Sequence, residues 1–283
     1  MAAVPPNSRT NLDKAIQRLA GTPARFVEMR SLLAGTIVGQ FLPEGVAKGG
    51  GALRLRFGSA DTRATHDFDV ARRGRLDAFA GTLADGLKEG WNGFTGVVVP
   101  GRPARPRGVP GEYVMQPFSV KLAYRGQPWC TVALEVGHNE IGDADAPDCA
   151  LSPEIAGWFG ELGFPAPAPV PLMPLEYQVA QKLHAATAPG SQRAHDLVDL
   201  QLIADRVPLD MGRLHAICLR LFAYRRMQPW PPRVEPQPGW ADLYTSRAAG
   251  LDVRQDVASA AAWANDLIAR IDSAPMPSAE EQP

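Results

Sequence analysis

The 283-residue sequence has only three cysteines, Cys130, Cys149 and Cys218, and none of them forms a Cys-x-x-Cys pair. No histidine cluster accompanies them, so the sequence predicts neither a disulfide framework nor a structural zinc site. The amino terminus lacks the long apolar core of a signal peptide, and no apolar run is long enough to cross a membrane. We therefore expect a cytoplasmic protein without a membrane partner.

Several other signals are also missing. The net charge is only -1, so global charge indicates no partner, and there is no internal repeat. The glycine run Gly49–Gly51 is not followed by the Gly-Lys-Ser/Thr of a Walker A loop, and the chain does not alternate strand and helix as a dinucleotide-binding fold does. The hydrophobic content of 45% is enough for a substantial core.

Hydrophobic periodicity divides the chain into an α/β part and a helical part. Alternation predicts strands at Gly45–Lys48 and His66–Val70, a buried strand from Phe94, and a hairpin over Phe118–Val136. The segment Phe164–Pro174 is rich in proline and is predicted to be an extended link. The predicted domains are an α/β lobe with N-terminal helices (1–168), a helical lobe (169–273) and a flexible tail (274–283).

Asp67 and Asp69 are the first candidates for chemistry. Strand side chains alternate, so the two carboxylates share one face while Phe68 and Val70 share the other. Such a pair repels itself at neutral pH unless a cation lies between them, and carboxylate oxygen suits Mg²⁺. Glu135 is a candidate third ligand, although an exposed glutamate at a strand edge fits the sequence equally well.

Two other patterns have ordinary interpretations. The glycine run lets backbone N–H groups approach an anion closely, but alone it is more typical of a turn. Asp143 and Asp145 form a second Asp-x-Asp pair, between glycine and proline, which indicates an acidic surface loop.

The helical part carries Lys182 beside an apolar stripe, followed by Arg193, Asp196 and Asp199 at helical spacing. Taken alone, Lys182 is expected to extend its charged end to water, and Arg193 to pair with Asp196 on a solvated face. His184 and His195 are expected to be packing or surface residues.

Together these motifs resemble the AbiEii/AbiGii nucleotidyltransferase toxin family, which includes the mycobacterial MenT toxins. The family signatures correspond to Gly49–Leu53, to Arg63-Ala64-Thr65-His66-Asp67-Phe68-Asp69, to Lys182 in its helix, and to the run Arg193–Asp199. The resemblance covers roughly residues 45–205. It implies an α/β (α+β) fold, with a DNA polymerase beta-type nucleotidyltransferase lobe built on a mixed sheet and a helical C-terminal lobe.

The resemblance also implies the roles of individual residues. The nucleotide-binding residues would be Gly49, Gly50, Gly51, Arg63, Thr65 and Lys182. The Mg²⁺ ligands would be Asp67, Asp69 and Glu135, and the catalytic residues Asp67, Asp69, Lys182 and Asp196. Asp196 would act near the acceptor hydroxyl or orient Lys182. Arg54 and Arg56, with Arg63, are placed to balance phosphate charge. Gly51 departs from the family, which usually has a hydroxyl there to contact the triphosphate.

The implied activity is transfer of a nucleoside monophosphate from an NTP to RNA, most simply a tRNA 3′ end, by a toxin with a cognate antitoxin. A small molecule or a protein hydroxyl is the alternative acceptor, and a non-catalytic nucleotide- or RNA-binding protein is a third reading. Arginines interleaved with aromatics around Arg225 and Arg226 are expected to bind RNA, as is the loop containing Arg102, Arg105 and Arg107.

Overall fold

The computed structural model describes residues 4–65, 67–104 and 114–276, and these form two compact units. The first unit contains the described residues of Met1–Ala60, Ala64–Asn139 and Ala144–Met173. The second contains Pro174 onwards together with two short segments, Asp61–Arg63 and Glu140–Asp143. The division after Met173, rather than at residue 168, reflects a strand within the proline-rich segment.

The first unit contains seven strands and five helices in its described part. The strands are β1 (Gly45–Lys48), β2 (Asp67–Arg72), β3 (Phe94–Pro100), β4 (Gln116–Tyr124), β5 (Gln127–His138), β6 (Asp148–Ala150) and β7 (Val170–Leu172). The helices are α1 (Arg9–Ala20), α2 (Pro23–Gly39), α3 (Gly49–Phe57), α4 (Leu76–Glu89) and α5 (Pro153–Glu161).

All seven strands join one mixed sheet in the order β3-β4-β5-β2-β1-β7-β6. The strand β2 lies inside this sheet, antiparallel to β1 and parallel to β5. Phe68 and Val70 of β2 are buried in the core, as their alternation predicts. This burial leaves Asp67 and Asp69 on the opposite face, with β1 and β5 as neighbours.

Three elements differ from the sequence prediction. The glycine run forms the first turn of the helix α3, not a loop. The strand β3 lies at the edge of the sheet, and Val97 is 63% exposed, so the strand is not fully buried. The proline-rich segment contains β7, whose Leu172 pairs with Ala47 of β1 and is fully buried. Burial of its alternate side chains places this short strand in the sheet.

The second unit is helical, as predicted. Its helices in the described part are α6 (Leu175–Thr187), α7 (His195–Arg206), α8 (Met211–Arg225), α9 (Trp240–Ala248) and α10 (Val257–Asp272). Side-chain caps mark two of their starts: Asp210 accepts from Arg213 N, and Asp256 accepts from Ser259 N at 2.8 Å. The helix α9 was not anticipated. Most of the predicted tail, 277–283, lies outside the described residues.

None of the described helices is long and apolar enough to cross a membrane.

Candidate active site

Three carboxylates, the acidic row of Asp67, Asp69 and Glu135, lie on one face of two adjacent strands of the first unit. Asp69 on β2 lies in register with Glu135 on β5 and with Lys48 on β1. Residues in register on adjacent strands project from the same face, and adjacent strands lie about 4.8 Å apart. Asp67 projects from that face two residues earlier in β2. The pairing thus places three carboxylates and one ammonium group on one small area of the sheet.

The first turn of α3 lies beside this row. Gly49 has φ +67°, and a Cβ on it would overlap the carboxylate of Asp69, so glycine is required there. The residue before the helix, Lys48, caps no backbone N–H group with its side chain. The first N–H groups of a helix lack intrahelical partners and favour anions. The turn therefore offers backbone donors next to a carboxylate.

Space at the third glycine is limited. A Cβ on Gly51 would lie 3.2 Å from the carbonyl oxygen of Asp67, so a larger residue would require a small shift of the backbone. Gly51, Thr65 and Asp67 line the same cavity of about 30 Å³. The structure thus brings Thr65 and the glycine turn together with Asp67. His66, in the same motif, lies outside the described residues.

Burial and neighbouring charge both act on Glu135. Burial raises the pKa of Glu135, and the charges of Asp69 and Asp67 raise it further, while the charge of Lys48 opposes them. Adjacent carboxylates of this kind are stabilised by a bound cation. The charges of the two aspartates thus reach Glu135, whose role as a metal ligand stays a prediction.

The donor set fits Mg²⁺ in part. Asp67 and Asp69 supply hard oxygen ligands, and Mg²⁺ commonly takes one or two carboxylates and completes its shell with substrate phosphate and water. Within the described part of the chain, no three His, Cys, Asp or Glu side chains form a ready-made metal group. Asp67 and Asp69 would therefore be the first protein ligands of such an ion, and Glu135 would have to turn toward them to join.

In the second unit, the two helix motifs form a buried ion-pair network. The Nζ of Lys182 lies 3.0 Å from Asp196 Oδ1 and 2.6 Å from Asp199 Oδ2. Arg63 donates two 2.8 Å bonds to Asp199, and Arg193 donates to Asp196 at 2.7 Å. Lys182, Asp196 and Asp199 are at most 4% exposed. The expectation that Lys182 extends to water is therefore wrong.

The charges in this network hold one another in place. Burial alone would lower the pKa of Lys182, but Asp196 and Asp199 outweigh it and raise that pKa. Burial would raise the pKa of Asp196, yet Lys182 and then Arg193 hold it below its ordinary value. His195 borders the network, and burial lowers its pKa to about 4, which makes it neutral at pH 7.

The predicted phosphate-balancing arginines each pair with a carboxylate. Arg54 pairs with Glu28, and Arg56 lies 2.8 Å from Asp148, both within the first unit. Arg63 forms an ion pair with Asp199 within the second unit. All three guanidinium groups thus have carboxylate partners.

The predicted RNA-binding arginines differ from each other. Arg225 forms a two-pronged ion pair with Glu140, at 2.8 and 3.0 Å, and approaches His184. Arg226 is exposed and ends α8 in the left-handed conformation, with φ +53°. Of the pair, only Arg226 therefore presents its guanidinium to solvent without an ion pair among the described residues. In the second basic stretch, Arg102 is exposed, but Arg105 and Arg107 lie outside the described residues.

Two features escaped the sequence interpretation. Asp143 is buried rather than on a surface loop, and it accepts from Gln181 at 2.6 Å. The sequence motifs assign no role to Lys48, although it immediately precedes the glycine run. Its position at the end of a predicted strand was the available signal, but its partners depend on strand register.

The chain matches one family model over residues 32–275, that of the nucleotidyl transferase AbiEii toxin of type IV toxin–antitoxin systems. Among solved structures, it is similar to MenT4, a nucleotidyltransferase toxin from Mycobacterium tuberculosis H37Rv. That match has 18% identity and a TM-score of 0.51, and it covers 92% of this chain and 99% of that one. It shows a shared fold. JHP933 from Helicobacter pylori is 16% identical over 87% of this chain and 91% of that one, with a TM-score of 0.42. No curated protein matches.

Proposed function

The chain belongs to the AbiEii family of nucleotidyltransferase toxins of type IV toxin–antitoxin systems, and from this premise we propose its substrates and its catalytic groups. It transfers a nucleoside monophosphate from an NTP to an RNA acceptor, most simply the 3′ end of a tRNA, in a Mg²⁺-dependent reaction of the EC 2.7.7 type. A cognate antitoxin is its protein partner.

The observation that carries this proposal is the acidic row beside the first turn of α3. Asp67 and Asp69 project from one strand face, Glu135 is in register with Asp69, and Gly49 packs against the Asp69 carboxylate. Bound Mg²⁺ would supply charge neutralisation at the transferring phosphate and help activate the attacking hydroxyl. Asp67 and Asp69 would hold it, and Glu135 would support a second ion.

The backbone of the glycine turn supplies the second part of the proposed chemistry. The N–H groups that begin α3 are placed next to Asp69, where they can donate to phosphate oxygens of the nucleotide. Preorganised donors of this kind stabilise charge as it develops in the transition state. The absence of a side chain at Gly51 leaves this role to the backbone.

In the helical unit, the geometry favours one of the two roles expected for Asp196. Its carboxylate holds Lys182 at 3.0 Å while it accepts from Arg193, so it orients the lysine. Asp199 holds the same ammonium from the other side and is itself held by Arg63. Lys182 remains our candidate for binding the triphosphate, because its ammonium has three N–H donors and these two carboxylates use two of them.

A transfer assay tests the proposed function. Each of the four NTPs, labelled at the α-phosphate, is incubated with the protein and with total tRNA, an aminoglycoside or protein, in Mg²⁺ or in EDTA. We expect Mg²⁺-dependent label on tRNA. Label on the aminoglycoside or on protein would overturn the RNA acceptor. Nucleotide binding without transfer to any acceptor would overturn the catalytic assignment.

A further inference from the structure

Lys48 is a cation on the same sheet face as the acidic row. It ends β1, is half-buried, and lies in register with Asp69, which in turn is in register with Glu135. Its side chain extends across β2 toward β5, because a Cβ built on Gly137 would lie 3.6 Å from its Nζ. Gly137 follows Glu135 by two residues and so shares its face. The ammonium therefore lies beside the row rather than in bulk solvent.

The Lys48 ammonium acts on the carboxylates of the acidic row through its charge, but among the described residues it forms no ion pair with them. The two aspartates raise the pKa of Glu135, and the charge of Lys48 opposes that rise. Within the described part of the chain, however, Lys48 has no ion pair within 4 Å, unlike Arg54 and Arg56 of the following helix. A lysine side chain has four rotatable bonds and a compact charge, so it can change partners over several ångströms. Lys48 is thus close to the carboxylates and still able to move.

We propose that Lys48 is the resident counter-ion of the acidic row, which weakens the binding of a free divalent cation and turns to phosphate when the nucleotide binds. Before substrate arrives, one ammonium partly balances three carboxylates and competes with a metal ion for them. When the nucleotide brings its own negative charge, the ammonium is attracted to the phosphates instead. The site then takes up the metal–nucleotide complex in preference to the free metal ion. This inference rests on the proposed function, because it assumes that the row holds metal.

The test measures two affinities in Lys48→Met, neither of which requires catalysis. Binding of Mn²⁺ alone is followed by electron paramagnetic resonance, and binding of a non-hydrolysable NTP analogue in saturating Mn²⁺ by calorimetry. We expect Mn²⁺ alone to bind about tenfold more tightly, and the analogue about tenfold more weakly, since a tenfold change needs only about 1.4 kcal/mol. The opposite signs distinguish this role from general damage, which would weaken both. Lys121→Met, at an exposed lysine of β4, should change neither affinity.

A second variant displaces the ammonium without removing it. Gly137→Leu fills the space beside Nζ and should also tighten Mn²⁺ binding, whereas Gly137→Ala makes only an ordinary 3.6 Å contact and should not. These variants decide the question if Lys48→Met does not fold. Unchanged or weaker Mn²⁺ binding in folded Lys48→Met or Gly137→Leu overturns the inference while leaving the proposed function intact. Failure of the wild-type protein to bind Mn²⁺ even together with the nucleotide analogue overturns both.

Discussion

The ammonium of Lys182 lies between the carboxylates of Asp196 and Asp199, at 3.0 and 2.6 Å, and its side chain is only 5% exposed. Two buried carboxylates cannot remain charged without such a partner. Lys182, which belongs to one family motif, therefore stabilises the other motif, which contains Asp196 and Asp199. Any measurement of its catalytic role has to be separated from this effect on stability.

We expect Lys182→Met to lower the free energy of unfolding by about 3–5 kcal/mol, because it removes the buried cation that Asp196 and Asp199 share and leaves each carboxylate with a single arginine partner. Urea denaturation followed by circular dichroism measures this change. Lys121→Met, at an exposed lysine, is the control and should change stability by less than about 0.5 kcal/mol. A Lys182→Met protein as stable as wild type would show that the network does not form in solution.

Arg63 was predicted to bind nucleotide, and a double-mutant cycle tests the alternative that it anchors Asp199. Its guanidinium donates two 2.8 Å bonds to that carboxylate. For Arg63→Gln, Asp199→Asn and the double variant, we expect a coupling free energy of unfolding of about 1–3 kcal/mol. If the single effects are additive, the pair is not formed, and nucleotide contact again becomes the better explanation of Arg63.

Local alternation was sufficient to predict β2 and the two carboxylates it presents. Phe68 and Val70 mark the buried face within five residues, so Asp67 and Asp69 follow directly. The assignment of Glu135 to the same row needed the β2–β5 pairing, which joins segments more than sixty residues apart. No local pattern gives that register, and for this reason Glu135 remained ambiguous and Lys48 was missed.

The long-range ion pairs also could not be predicted from the sequence. Arg63 and Asp199 are 136 positions apart, and Arg225 and Glu140 are 85 apart. Composition indicates that these side chains are charged but not which of them meet. The glycine run shows that local helix propensity can also mislead. Three glycines disfavour a helix by about 1 kcal/mol each relative to alanine, yet burial of Ala52, Leu53 and Leu55 makes this segment the helix α3.

Arg226 allows RNA binding to be tested without destabilising the helix. It ends α8 at φ +53°, a conformation that glycine adopts without strain. We expect Arg226→Gly to raise the melting temperature slightly and to weaken binding to a single-stranded oligoribonucleotide at low salt. Arg247→Gly, at an exposed arginine within α9, should weaken the helix instead and leave RNA binding unchanged. RNA affinity that is unaffected by Arg226→Gly removes this residue from the RNA-binding surface.

Stability should depend on pH through His184. Burial and the nearby charge of Arg225 lower its pKa to about 4, whereas an imidazole in an unfolded chain titrates near about 6.5. The unfolded state therefore binds more protons between these values, so this contribution to stability is complete above about pH 6.5 and is lost as the pH falls toward 4. We expect the urea midpoint to fall from pH 7 to pH 5, and less steeply in His184→Gln. Identical slopes would show that His184 is not buried as a neutral group.

Asp67 and Asp69 should be essential for transfer but not for folding, because both project away from the face that Phe68 and Val70 bury. We expect Asp67→Asn and Asp69→Asn each to lower the transfer rate by about 10³-fold, which corresponds to about 4 kcal/mol of transition-state stabilisation. Their melting temperatures without metal should be at or above that of the wild type, because each removes one of three mutually repelling carboxylates. The increase in melting temperature on adding Mn²⁺ should disappear in both. Asp85→Asn, at an exposed aspartate of α4, should retain both the rate and the increase. Normal transfer by either folded variant would mean that the metal is held elsewhere.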